Sequence, residues 1–301
     1  MTKRTRLFSI IPVFMFLCLI PARVVTLQEG ASSINKDDES LETILEKCAE
    51  YSDKLIRSSL DFICREEIEE KIFDYTRRKG KDRWIEMYHE SQYSRKYRGI
   101  SLMAKSDKYT YIYDYQLVKK GNSIKESRIL LEENGEKKNE KDASLKTKRF
   151  YSKRSVFGPI GLLSRKGQEQ YEYELSKKDK EVGREAYLIE VRPKSKEDGK
   201  IHSSFGKVWV DRENFSILKI EVKAESIQGY DQLKDAAKRE QVIPEIMDIH
   251  YYGVEKNGLR FPSKTIIEEN YRAMTKVIKK SRTVVEYKDY RFFTVDVDVK
   301  Y

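Results

Sequence analysis

GKVWVDRENFSILKIEVKAES, residues Gly206 to Ser226, decides the fold. Apolar and polar residues alternate in both halves of this stretch, and a period of two is typical of β-strands. The short DREN connection between the halves predicts an antiparallel hairpin.

Further strands are predicted on both sides of this hairpin. QYEYELSKK and EVGREAYLIEVRP precede it, and EIMDIHYYGVEKNGLRFPSKTIIEENYR and KSRTVVEYKDYRFFTVDVDV follow it. Asn257-Gly258 between apolar runs is a type I′ turn signal. GYDQLKDAAKRE interrupts the strands and is expected to form a loop or a short helix.

The N-terminal half begins with a helix. Ser40 is a good N-cap, and apolar residues then recur at three- and four-residue steps to about Ser59. From Asp61 the period changes to two, so that one face carries Phe62, Cys64, Ile68 and Ile72.

The middle of the chain predicts a second hairpin, with Gly121-Asn122 at its tip. Residues 132 to 148 read as a charged loop or a short helix. A helix followed by about ten antiparallel strands without βαβ spacing predicts an α+β fold. Its large curved antiparallel sheet would close into a barrel or fold over helices.

The first residues predict export. Lys3, Arg4 and Arg6 precede an uncharged run, Leu7 to Ile20, and this layout is typical of a secretory signal peptide. We expect a signal peptide over 1–22, a flexible tail over 23–39 and a single domain over 40–301. An uncleaved membrane anchor is the alternative. If the signal peptide is cleaved, the protein is expected to be periplasmic or secreted.

Composition limits the partners. The formal charge is +10, with 60 basic and 50 acidic residues interleaved along the chain. This favours a solvated, salt-bridged surface with at most peripheral contact with anionic membranes. Export makes nucleic acid an unexpected partner.

The cysteines suggest a disulfide. Cys18 would leave with the signal peptide, so Cys48 and Cys64 would remain in an oxidising compartment. We expect them to be bonded, with two buried thiols as the alternative. No cysteine or histidine is placed at metal-binding spacing, so neither metal nor cofactor is expected.

Catalytic motifs are absent from the sequence. It has no Gly-rich phosphate loop, no G-x-S-x-G and no HExxH. Glu66-Glu67 and Glu69-Glu70 are best explained by a surface strand. An exported hydrolase would need a nucleophile beside His202 or His250, so we expect no enzyme.

Candidate binding residues come from apolar and aromatic strand faces. They are Tyr109, Tyr111, Tyr113, Trp209, Leu218, Ile220 and Val222. The aromatic row has two interpretations, which are cross-strand packing and the lining of an apolar pocket.

The segment VFGPIGLL, which ends at Leu163, adds three more candidates: Phe157, Ile160 and Leu163. It either caps an open end of the sheet or acts as a movable lid. As a lid it would occupy an apolar cavity until a ligand displaces it, with Gly158 and Gly161 as hinges.

The GKVWVD strand, its tight turn and the strand that follows resemble the LolA/LolB lipoprotein-sorting superfamily. The resemblance covers about Tyr171 to Tyr290 and includes the FPS start of a later strand. It implies an unclosed half-barrel folded over one long N-terminal helix and short helices, with an apolar cavity for acyl chains. It assigns no ligand residues.

Two functions follow as hypotheses. The first is an exported, non-enzymatic carrier that binds a lipid or an acylated protein in that cavity. The second is an envelope sensor or scaffold of the same fold, which binds another envelope protein and has its interior filled by its own side chains.

Overall fold

A computed structural model describes residues 39–58, 61–74, 105–120, 123–149, 158–181, 183–194, 204–227, 229–274 and 276–293. The predicted signal peptide and all of the predicted tail except residue 39 lie outside these ranges, so both remain predictions.

The described residues form helices, 3-10 turns and strands. The helices are α1 (Leu41–Ser58), α2 (Arg165–Gln170) and α3 (Tyr230–Arg239), and the 3-10 turns are Ile160–Leu163 and Ala224–Ser226. The first strands are β1 (Asp61–Asp74), β2 (Lys105–Lys120), β3 (Ser123–Glu133) and β4 (Glu136–Glu140). They are followed by β5 (Tyr171–Glu181), β6 (Arg184–Pro193), β7 (Gly206–Asp211), β8 (Ile217–Val222) and β9 (Ile243–Tyr251). The last are β10 (Val254–Lys256), β11 (Leu259–Phe261), β12 (Lys264–Ala273) and β13 (Lys276–Phe292).

Helix α1 begins where its cap predicts. The Thr43 N–H donates to Ser40 Oγ at 3.2 Å, which satisfies one of the otherwise unpaired N–H groups of the first turn. Its apolar stripe is buried against the sheet and consists of Ile44, Cys48, Tyr51 and Leu55. The predicted N-terminal helix is therefore confirmed.

Eleven strands form one sheet in the order β4-β3-β2-β1-β13-β12-β9-β8-β7-β6-β5. Their pairings are antiparallel, and β10 and β11 form a separate ribbon. Among the described strands, β4 and β5 are the two edges and do not pair with each other, so the sheet is unclosed. The α+β prediction is confirmed, and the closed-barrel alternative is wrong.

Two tight turns follow from asparagine and glycine. Asn257 and Gly258 both have positive φ, as the predicted type I′ turn requires, and join β10 to β11. Asn134 and Gly135 do the same between β3 and β4. The expectation of a loop or short helix over 132–148 is therefore wrong for residues 132–140, because this second Asn-Gly pair directs a hairpin despite the charged residues around it. Residues 141–148 form a loop, as expected.

Gly206 lets β7 and β8 approach each other closely. It pairs with Val222, and a Cβ at this position would overlap the Glu221 carbonyl oxygen. We expect Gly206→Ala to lower the free energy of unfolding by about 1–3 kcal/mol, as overpacking generally does. Urea denaturation would measure it. Gly161→Ala is the matched control, since a Cβ at that position would have no atom within 4 Å; equal costs for both variants would contradict this explanation.

The sheet has an inner face, on which α1 lies, and an opposite outer face. The inner face carries the main cluster, to which Val208, Ile220 and Phe261 belong, and a second cluster around Phe62 and Tyr113. Tyr290 packs against both clusters and joins them. Its ring centroid lies 5.2 Å from that of Phe62. No helix among the described residues is long and apolar enough to cross a membrane.

Candidate functional site

The connection between β4 and β5 joins the two opposite edges of the sheet. Its two described parts, 141–149 and 158–170, both lie against the inner face. We call this connection, residues 141–170, the strap; residues 150–157 of it lie outside the described ranges.

The first half of the strap contacts the strands in their order across the sheet. The Ala143 N–H donates to the Arg128 carbonyl on β3, and the Lys146 N–H donates to Tyr113 Oη on β2. The Arg149 N–H donates to Glu70 on β1 at 2.8 Å. This contact pattern fixes the path of the backbone over the inner face.

Two carboxylates sit beneath the strap. Glu66 is 2% and Glu70 0% exposed. The expectation that these carboxylates lie on a surface strand is therefore wrong for both. Glu70 accepts hydrogen bonds from the N–H groups of Lys148 and Arg149, both at 2.8 Å. Glu70 thus anchors the strap through the strap's own backbone.

Glu66 pairs with Arg128 instead. Arg128 Nε and Nη2 donate to the two carboxylate oxygens at 2.6 and 3.2 Å. Burial lowers the pKa of Arg128, but the Glu66 charge and hydrogen bonds, with nearby tyrosines, raise it above its ordinary value. The guanidinium also lies 4.8 Å from the Tyr115 ring centroid. The largely buried guanidinium of Arg128 is therefore surrounded by a carboxylate and an aromatic ring.

The tyrosine row is covered by the strap. Tyr111, Tyr113 and Tyr115 are buried, and Tyr109 is half-buried at their end. Burial raises the pKa of Tyr113 to about 12, against the opposing hydrogen bond from the Lys146 N–H. The row thus packs between sheet and strap, as the cross-strand interpretation predicts.

Tyr113 gives the fold a pH dependence. Because its pKa is raised from 10.0 to about 12, its contribution is complete below pH 10 and is lost as the pH rises to about 12. At neutral pH, Tyr113→Phe should cost about 1 kcal/mol through the lost hydrogen bonds. Urea midpoints measured between pH 9 and pH 12 should show this gap closing; a gap independent of pH would contradict it.

The second half of the strap carries apolar side chains into the core. We call the 3-10 turn Ile160–Leu163 the plug. Ile160, Leu162 and Leu163 are buried in the main cluster, which also contains Ile220 and Val222. Tyr173 Oη donates to the Leu162 carbonyl at 2.6 Å, and the Gln168 amide donates to the Leu45 carbonyl of α1 at 2.7 Å.

His250 lies beneath the strap just before the plug. Its Nδ1 is 3.2 Å from Thr265 Oγ1, and its Nε2 is 3.0 Å from Asp248 Oδ1. A Cβ on Gly158 would contact the imidazole at 2.8 Å, so glycine allows the strap to pass directly over the ring. His250, one of the two histidines considered for a hydrolase, is thus enclosed between sheet and strap, and His202 lies outside the described residues.

The candidate lining residues do not all share one site. Ile160, Leu163, Ile220 and Val222 are brought together in the main cluster, and Tyr111 and Tyr113 lie in the second cluster. Trp209 and Leu218 lie on the outer face with Ala186 and Leu188, opposite the plug. A register shift between β7 and β8 leaves Leu218 unpaired and turns it away from Ile220 and Val222, with which strand alternation groups it. Phe157 lies outside the described residues.

The predicted disulfide is not formed. Cys48 and Cys64 are free and buried, one on α1 in the main cluster and the other on β1 in the second cluster. Burial raises the pKa of Cys48 to about 12. It also raises that of Cys64, where the nearby Glu66 charge adds to the effect. Both behave as apolar core residues, which is the alternative that the sequence left open.

Two surface depressions lie beyond these clusters. One, of about 450 Å³, is on the charged outer face and is lined by Glu67, Lys264 and Arg282 among others. The other, of about 600 Å³, lies between α1 and α2 and is lined by Leu41, Leu45, Arg165 and Gln168 among others. The second is lined by residues of α1 and α2, and α2 begins two residues after the plug ends.

Comparisons with known proteins give structural similarity alone. No protein-family model matches the sequence, and no curated protein matches it. The chain is similar to a LolA superfamily protein from Nitrosomonas europaea, at 14% identity over 86% of this chain and 96% of that chain, with a TM-score of 0.33. It is also similar to a putative outer membrane lipoprotein-sorting protein domain from Vibrio parahaemolyticus, at 12% identity over 85% and 95%, with a TM-score of 0.37.

A third solved structure is a DUF1329 family protein from Desulfovibrio piger, at 12% identity over 87% of this chain and 96% of that chain, with a TM-score of 0.35. The solved structures to which the chain is similar thus include a protein of the superfamily that its sequence resembles. Identities and TM-scores this low carry no inference about ligand, partner or site.

Proposed function

We propose that this protein is an exported, non-enzymatic binding protein. It holds the acyl chain of a lipid or acylated protein against the inner face, in the position that the plug occupies here. One observation carries the proposal: a four-residue turn in the connection between the sheet edges supplies three buried aliphatic side chains to the main cluster. Removing the plug would leave an apolar recess.

The plug is comparable in size to an acyl chain. Ile160, Leu162 and Leu163 each carry four side-chain carbons, about twelve in all. Burial is worth about 0.8 kcal/mol per CH₂, so a twelve-carbon chain gains about 10 kcal/mol. This offsets the similar burial that the displaced plug loses, before the costs of association. A ligand of that length can therefore replace the plug without a polar site.

We infer that the acyl chain enters at the depression between α1 and α2. Leu41 and Leu45 line one side of it, and Arg165 lies on the other. The Arg165 side chain is 64% exposed and sits 3.6 Å from Asp53. An anionic headgroup could pair with this guanidinium while its chain extends toward the plug.

Native mass spectrometry with matched probes tests the proposal. We expect one dodecanoyl chain to bind per protein and the butanoyl analogue with the same headgroup not to bind, because the short chain cannot replace the buried area of the plug. Lipid extraction from protein purified out of its own host would identify the natural occupant. Equal binding of both probes, or of neither, would contradict acyl-chain recognition.

The second candidate is an envelope sensor or scaffold of the same fold. It is favoured by the filled interior around Leu163 and Ile220, both 0% exposed. In that case the plug is permanent core, and the protein acts by binding another envelope protein. Failure to take up any acylated probe, with one protein co-purifying, would select this function.

A further inference from the structure

Three exposed aliphatic side chains meet at one corner of the sheet. Ile243 is 62%, Met274 55% and Val277 53% exposed. Ile243 and Val277 both pair with Arg272, one from β9 and the other from β13. They therefore share one row of the outer face, and Met274 lies in the adjoining turn at the end of β12.

The same corner is basic. On the strands and turn around these side chains, the positive residues are Arg272, Lys276, Lys279 and Lys280, and the negative one is Glu245. Arg272 pairs with Glu245. Four positive charges against one negative charge leave a net charge of +3 on this short part of the sheet.

The corner is supported by its own small core. Helix α3 and the turn after it pack on the inner side of the β12–β13 hairpin. Ala237 and Val242 form one buried cluster there with three residues of the hairpin: Tyr271, Ala273 and Ile278. Met274 has φ +51, a backbone conformation that fixes the tight turn. Ile243 and Val277 pair with Arg272, whose neighbours Tyr271 and Ala273 belong to this core, so strand alternation places both side chains on the opposite face of the sheet.

We propose that this corner, which we call the membrane tip (Ile243, Arg272, Met274, Lys276, Val277 and Lys279), docks on the surface of an anionic bilayer. Isolated aliphatic side chains at the end of a hairpin can enter the boundary between headgroups and acyl chains, while the lysines stay among the phosphates. The positive charge complements an anionic leaflet. The proposal does not depend on acyl-chain binding beneath the strap.

A site-specific fluorophore tests the docking directly. Val277→Cys, in a Cys18→Ser background, would carry an environment-sensitive label, while Cys48 and Cys64 stay buried. We expect a blue shift with vesicles of phosphatidylglycerol and phosphatidylcholine, and a much smaller one with phosphatidylcholine alone. The control label is Val118→Cys, at an exposed aliphatic position on β2. No shift at Val277→Cys, or an equal shift at both positions, would overturn the proposal.

A triple variant tests the energetics. The variant combines three substitutions: Ile243→Thr, Met274→Asn and Val277→Thr. Threonine suits a β-strand and asparagine tolerates positive φ, so the variant removes the aliphatic surface and keeps the backbone conformation. Affinity for anionic vesicles at low salt should fall about tenfold or more, and Lys276→Glu with Lys279→Glu should weaken binding with a smaller salt dependence. If the triple variant instead abolishes self-association or binding to a protein and leaves vesicle affinity unchanged, the corner is a protein interface and the proposal is wrong.

Discussion

Glu66→Gln is expected to lower the free energy of unfolding by about 3–5 kcal/mol, the range found when one partner of a buried ion pair is removed. The substitution keeps the shape of the side chain, so the loss comes from charge. The Glu66 side chain is 3% and the Arg128 side chain 14% exposed. The guanidinium would remain in a largely buried site, with a neutral amide in place of its carboxylate partner. Guanidinium chloride denaturation of both proteins would measure the difference.

Glu67→Gln is the matched control on the same strand. Glu67 points to the outer face, where it pairs with Arg65 at 2.9 Å and Lys288 at 2.7 Å, and its side chain is 31% exposed. Exposed ion pairs contribute about 0–1 kcal/mol, so this variant should remain close to the wild type. A Glu66→Leu, Arg128→Met double variant should recover much of the loss, because it removes both charges. A Glu66→Gln protein within 1 kcal/mol of the wild type would contradict the buried-pair account.

Leu163→Ala is expected to tighten binding of a dodecanoyl probe about 30- to 100-fold. The side chain is 0% exposed, and a buried Leu→Ala change costs at least about 2 kcal/mol. If plug and ligand compete for one recess, weakening the plug raises the population of the binding-competent state by the corresponding factor. The variant should therefore be less stable and a better binder. Isothermal titration calorimetry would measure the affinity.

Leu218→Ala separates competition from general loosening. Leu218 is also a buried leucine, but it lies on the outer face in the cluster with Trp209. Its removal should destabilise the fold by a comparable amount without changing probe affinity. If both variants gain affinity equally, the probe responds to loss of stability. If Leu163→Ala gains none, the plug does not compete with the ligand.

The sequence predicts the strands well because their signals are local. Alternation in residues 206–226 and the Asn-Gly pair at 257–258 need no information from elsewhere in the chain. The same alternation predicts that Cys64 and Ile68 share a face, and they do. What alternation within one strand cannot give is the register between neighbouring strands. Trp209 was therefore grouped with Ile220, although Ile220 pairs with Val208 and lies on the opposite side of the sheet from Trp209.

The strap could not be read from local patterns. Its contacts join residues far apart in the chain, such as Arg149 with Glu70 and Arg149 with Glu269. One local signal was available. Glu66 and Glu70 fall on the same alternating positions of β1 as its apolar residues, and so on the same face of the strand. Acidic residues in a buried phase indicate specific partners, because an unpaired buried carboxylate is too costly to persist. The parity of β1 thus held the information, but only the long-range contacts identify the partners.

Hydrogen exchange of the plug is the most direct test of the central claim. In the structure, the Leu162 N–H donates to the Pro159 carbonyl at 3.1 Å, and the Ser164 N–H donates to the Gly161 carbonyl at 3.2 Å. If an acyl chain takes the place of the plug, saturating dodecanoyl probe should speed exchange of these two amides while amides of β1 and β13 remain protected. Binding of the probe with unchanged or slower exchange at Leu162 and Ser164 would contradict the account.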